Sequence, residues 1–165
     1  MMITLTGFMG GGKTTVGRLL ADALGCPFMD LDDLIVKKAG KSIPDIFAQD
    51  GEPAFRQLEA QVLRKTVEKY AESTAVLALG GGAVLAPASA ALLHEKTVCI
   101  YVRATLDTLL ARLAGETAGR PLADDAMASR FAEREPIYEK TAHVIIDTDG
   151  LSPDEVTDEI IISAL

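Results

Sequence analysis

A short apolar run ending at Thr6 meets Gly7-Phe-Met-Gly-Gly-Gly-Lys13-Thr14 directly, and Val16, Leu19, Leu20, Ala23 and Leu24 then recur at helical spacing. A buried strand, a glycine-rich turn and a helix therefore follow one another without a linker. The turn fits the spacing G-x-x-x-x-G-K-[ST]. Glycines let the backbone wrap a polyphosphate with its N–H groups turned inward, where a Cβ would often obstruct. The helix behind them adds unpaired N–H groups and the positive end of its dipole. Lys13 supplies a point charge for the β- and γ-phosphates, and the Thr14 hydroxyl can ligate Mg²⁺. The stretch is thus expected to bind a nucleoside triphosphate, with Gly10, Gly11, Gly12, Lys13, Thr14 and Thr15 as its contacts.

A chain of 165 residues is one domain by length, 1–165, with enough residues for a proper core. Its net charge of −8 argues against general nucleic-acid or anionic-membrane binding. An acidic protein with anionic ligands must gather its cations locally. Cys26 and Cys99 are too few for a disulfide framework and read as buried thiols in a reducing compartment. No apolar run reaches the ~18 residues of a membrane span, and the N-terminus enters a strand rather than a signal peptide. A cytoplasmic location is expected, with small-molecule ligands and a monomeric state.

Along the chain, Gly25 and Pro27 end the first helix, and Cys26 to Met29 reads as a second strand running into Asp30-Leu-Asp32-Asp33. A short helix closes at Gly40, another starts at Ser42 as N-cap, and a long one runs from Gly51 to about Tyr70. Ala75 to Leu79 and Thr97 to Val102 are continuous apolar runs of the kind covered on both faces of a parallel sheet. Helices are expected at Pro87 to Leu93, around Leu106 to Leu113, and from Ala126 to about Glu135, with Pro136 as a break or kink. His143 to Asp147 is the last strand, and Ser152-Pro153 starts a C-terminal helix. Five strands alternating with helices predict a doubly wound α/β fold with ligands at the carboxyl ends of its strands.

Further candidates gather at those ends. Asp30 and Asp32, two apart at a strand end, can project the same way. One could serve a Mg²⁺ shell and the other orient or deprotonate a hydroxyl. Gly80-Gly81-Gly82 suggests a ligand close to the backbone, and it stands where many phosphate-loop proteins carry a metal-binding Asp, which shifts that duty toward Asp30. Arg56, Arg120 and Arg134 lie in separate non-core segments and could clamp a carboxylate or phosphate with paired hydrogen bonds.

These residues resemble the shikimate kinases. The loop through Arg18, Phe28-Met-Asp-Leu-Asp32, Ser42-Ile, Ile46-Phe47, Gly51-Glu52, Phe55-Arg56, Glu59, Leu79-Gly-Gly-Gly-Ala83, Arg120-Pro-Leu122 and Arg134-x-Pro-x-Tyr138 look like that family's pattern over essentially the whole chain. The resemblance implies a P-loop kinase-type five-stranded parallel sheet with helices on both faces. It also implies a substrate-binding helical insert at about 31–60 and a mobile lid at about 112–125. By that resemblance the reaction is ATP-dependent phosphorylation of the 3-hydroxyl of shikimate, giving shikimate 3-phosphate and ADP with Mg²⁺, in aromatic amino acid biosynthesis. Asp32 would contact shikimate hydroxyls and act as base, and Asp30 would reach Mg²⁺ through water beside Thr14. Arg56 and Arg134 would grip the substrate carboxylate, the backbone of Gly81 would meet ring hydroxyls, and Arg120 would cover ATP from the lid. The segment Asp147-Thr-Asp-Gly-Leu-Ser lacks the basic side chain some members place near the adenine, so backbone or apolar contacts are expected there. Rival readings are another small-molecule kinase, for gluconate or a nucleotide, and an idle relative that only binds; the retained Lys13, Thr14, Asp32 and arginines speak against the second.

Overall fold

β1 (Met2–Thr6) is the central strand of the sheet, between β3 (Ala75–Ala78), apolar throughout, and β4 (Val98–Arg103), apolar up to its last residue. β2 (Phe28–Asp30) flanks β3 and β5 (Val144–Asp147) flanks β4, giving the order β2-β3-β1-β4-β5 with every pairing parallel. The structure, a computed structural model, describes residues 1–116 and 125–165.

Parallel neighbours require crossovers, and the helices supply them on both faces. One face is covered by α1 (Lys13–Leu24) and α8 (Pro153–Ala164), packing Val16, Leu20, Val156 and Ile160 against Ile3, Leu5, Ile100 and Val102. The other carries α2 (Leu31–Ala39), α3 (Ile43–Asp50), α4 (Glu52–Lys69), α5 (Pro87–Lys96), α6 (Leu106–Glu116) and α7 (Asp125–Thr141). Its core unites Leu31, Ile35, Ile46, Phe55, Leu63, Leu77, Tyr101 and Tyr138. The alternation along β4, with Ile100 and Val102 to one layer and Tyr101 to the other, is the period-2 geometry of a strand buried on both faces. Leu63 and Ile160 show no exposed surface, and each such side chain contributes about 1.5–3 kcal/mol over its exposed state.

Most boundaries fall within a few residues of the expected ones, but two differences matter for the site. β2 covers Phe28–Asp30 only, and Asp30 caps α2, so Asp32 belongs to a helix. Its carboxylate does not share a strand face with Asp30, as period-2 spacing suggested. The second difference is that α7 continues through Pro136 to Thr141. Proline removes one helical hydrogen bond and crowds the preceding turn. The turn beyond it is held from outside by buried Tyr138, which donates its hydroxyl to the Gly81 carbonyl, while within the helix Thr141 Oγ1 donates to Ile137 O at 2.7 Å. Of the expected lid, 112–116 form the end of α6; 117–124, including Arg120, lie outside the described residues.

Candidate active site

At the carboxyl end of β1 the chain turns through glycines, with Gly10 at φ 79° and Gly12 at φ 83°, backbone settings that favour glycine over any side chain. Gly12 caps α1 without a side-chain hydrogen bond, so the first N–H groups of that helix point at the loop free of a protein side chain. The Lys13 ammonium donates to the carbonyls of Gly7 at 2.6 Å and Phe8 at 3.1 Å. Burial of that ammonium brings its pKa down to about 8, although the carboxylates of Asp32 and Asp30 pull the other way.

Thr14 Oγ1 donates to Asp30 Oδ2 at 3.0 Å, which joins the two residues expected at the metal. Asp30 Oδ1 accepts the Asp32 N–H at 2.9 Å. One carboxylate therefore fixes the loop helix α1 and caps α2 together. The cap also brings Asp32 beside Asp30 from the first turn of a helix. Burial, and then the negative charge of Asp30, raise the Asp32 pKa above the usual carboxylate value, while Lys13 and Arg56 oppose the rise.

Asp32, Arg56, Gly81 and Arg134 share the lining of one cavity of about 480 Å³. Such a volume suits a small-molecule ligand. Arg56 is held by the buried carboxylate of Glu59 at 2.9 Å and by Glu52 at 3.7 Å. The triple glycine expected to admit a ligand admits protein side chains first. A Cβ on Gly80 would stand 3.0 Å from Asp32 Oδ1, one on Gly81 3.5 Å from Arg134 Nη1, and one on Gly82 2.6 Å from Arg56 Nη2. The turn thus leaves room for the Arg56 guanidinium at Gly82 and, more narrowly, for the Asp32 carboxylate at Gly80, whereas a Cβ at Gly81 would meet Arg134 at ordinary contact distance.

A second concavity of about 210 Å³ sits on the other side of the loop, lined by Gly10, Gly11, Gly12 and Thr15 and by Thr148, Leu151 and Pro153 after β5. Arg112 of α6 also lines it. That guanidinium donates to Gly10 O at 3.3 Å and to Thr148 Oγ1 at 3.4 Å. Sequence reasoning missed Arg112, and it also missed Arg130, which lines the larger cavity. Both are single arginines on polar helix faces, a pattern that carries no signal of what the side chain reaches. Glu59 was quoted only within a motif, yet it had a signal: a carboxylate on the same helical stripe as Phe55, Val62 and Leu63. Among the described residues no group of three or more His, Cys, Asp or Glu could hold a metal.

Comparison with known proteins gives this geometry a context. A family model described as shikimate kinase matches residues 9–164. A curated shikimate kinase of Enterococcus faecalis is 42% identical over 164 residues, spanning 96% of this chain and 95% of that protein. Among solved structures, a shikimate kinase of Acinetobacter baumannii in complex with shikimate is similar with a TM-score of 0.84 and 32% identity, covering 97% of this chain and 90% of that one. The shikimate kinase of Aquifex aeolicus has a TM-score of 0.84 and 36% identity, covering 99% and 95%. Phosphate loop, capped aspartates and arginine-lined cavity lie within a match of nearly full length: the chain belongs to the shikimate kinase family.

Proposed function

We propose that the two concavities flanking the phosphate loop hold the two substrates of an ATP:shikimate 3-phosphotransferase, with shikimate in the larger one. The observation that carries this reading is the convergence of Asp32, Arg56 and Arg134 on the glycine turn at Gly80 to Gly82. A small hydroxylated carboxylate needs such a set: cations for the carboxylate, an acceptor for a hydroxyl proton, and a turn with room for all of them.

In this reading Arg56 and Arg134 bind the carboxylate, and the Gly81 backbone meets the ring hydroxyls. Asp32 accepts the proton of the 3-hydroxyl as its oxygen attacks the γ-phosphorus; the bond from that phosphorus to the bridging oxygen breaks, and ADP leaves with the bonding pair. The raised pKa of Asp32 suits a base better than an ordinary carboxylate does. Gly10, Gly11, Gly12 and Thr15 cradle the phosphates and Lys13 balances their charge, while Arg120, outside the described residues, would stabilise the transferring group. The adjoining Thr14 hydroxyl and Asp30 carboxylate are hard oxygen donors that fit Mg²⁺, Asp30 through water. Mg²⁺ there would offset charge on the β- and γ-phosphates. No covalent enzyme intermediate is required; rate comes from positioning and charge stabilisation. The enzyme would work as a monomer in the cytoplasm, serving aromatic amino acid biosynthesis.

The deciding experiment is a coupled assay of ADP release with Mg-ATP and shikimate, with gluconate and a nucleoside monophosphate as alternative acceptors. ADP release dependent on shikimate alone is expected. Turnover on either alternative in its place would assign the cavity to another small-molecule kinase of this fold.

A further inference from the structure

Away from the site, a groove of about 380 Å³ runs between the C-terminal halves of α2 and α4, within the size range of small-ligand pockets. Lys37 and Lys38 line it from α2, and Lys65 and Lys69 from α4. None of the described residues lining it is acidic. Four of the chain's eight lysines therefore border one groove in a protein of net charge −8. Among the described residues none of the four forms an ion pair, whereas Lys41 at the nearby end of α2 does pair, with Asp50 at 2.6 Å.

Helix ends explain part of this charge. Lys37 and Lys38 stand in the last turn of α2 and Lys69 in that of α4, where carbonyl ends favour cations. Two such ends offer about one negative charge in total, against four positive ones. Lys65 lies outside any last turn, so the helix end does not account for it. The floor is apolar, made by Met29, Leu34 and Val62, and Tyr70 adds an aromatic face that already carries the Lys69 ammonium 5.3 Å from its centroid.

We propose that this groove is a binding site for a small multivalent anion with an aromatic or other apolar body. A bare inorganic ion would leave the floor unused. A nucleic-acid backbone or a membrane calls for a broad basic surface, which a chain of net charge −8 with one local cationic groove does not offer.

Phenyl phosphate is the probe. Titrated into the ¹⁵N-labelled full chain, it should shift the amides of 37–38 and 65–70 with a shared dissociation constant of about 1 mM or tighter, and inorganic phosphate should bind there at least about tenfold more weakly. Lys65→Glu should weaken phenyl phosphate about tenfold or more. Arg64→Glu makes the same change in net charge on the next residue, which lines an adjoining surface with Ala54 and Gln57 that shares only Gln61 with the groove, and should change binding less than about twofold. Thermal melts of both variants report that they fold. Shifts confined to the phosphate loop, equal binding of inorganic phosphate, or equal effects of the two variants would each overturn the proposal.

Discussion

A methyl group on Gly82 would stand 2.6 Å from Arg56 Nη2 and 2.7 Å from its Cζ, so alanine at that position must push the guanidinium aside. The obstacle is the far end of a flexible side chain, so the fold should survive while the clamp proposed for the substrate carboxylate loosens. Gly82→Ala is therefore expected to raise the shikimate KM about tenfold or more, with the ATP KM and melting temperature nearly unchanged. An unaltered shikimate KM would show that Arg56 does not bind the substrate from its present place. Asp32→Asn keeps the shape of the side chain and removes the proton acceptor, so turnover should drop about 10²-fold or more. Near-normal turnover would take Asp32 out of the base role. Gly82 and Asp32 were legible in the sequence because the first closes a run of glycines after an apolar strand and the second belongs to an Asp-x-Asp motif just past another. The pairing of Arg56 with Glu59 was not legible, since it depends on how α4 is rotated against the sheet.

Among the elements, the continuous apolar runs of β3 and β4 gave away the parallel sheet, and a strand followed by glycines and a helix gave away the loop. The course of α7 was hidden for a physical reason. Proline lowers local helix propensity, and the contacts that outweigh it come from residues far away in sequence. Tyr138 is the clearest of them, fully buried and donating to the carbonyl of Gly81. Tyr138→Phe keeps the ring packing and removes that hydrogen bond, which contributes about 0.5–1.5 kcal/mol. For a chain of this length the melting temperature should fall by about 2–4 °C per kcal/mol. Because α7 also carries Arg134, the shikimate KM should rise alongside. A variant that melts like the parent would mean that packing alone holds α7 against the glycine turn.

On the scale of the whole molecule, a chain of net charge −8 concentrates buried charge of both signs where β1, β2 and β3 end. Lys13 falls from an ordinary value near 10.5 to about 8, chiefly because its ammonium is desolvated. As the pH rises through about 8 the ligand-free enzyme loses the cation proposed to balance the phosphates. Bound phosphate favours the charged form and moves that pKa upward. The ratio kcat/KM for ATP, which reports the free enzyme, should therefore fall above about pH 8 while kcat stays level to higher pH. Loss of the fold would not explain the fall. Between about 8 and 10.5 the unfolded chain holds the Lys13 proton and the folded one does not, so the contribution of Lys13 to stability rises with pH over that window. Asp32 and Glu59 have raised pKa values, chiefly from burial, so the stability they lend is full at low pH and is lost as the pH climbs through their folded values. Rate profiles for ATP and thermal melts recorded over the same pH series separate the two effects. A fall in kcat/KM above about pH 8 with no accompanying fall in melting temperature is the expected pair. A flat kcat/KM through that range would mean that the Lys13 ammonium is not buried before ATP arrives.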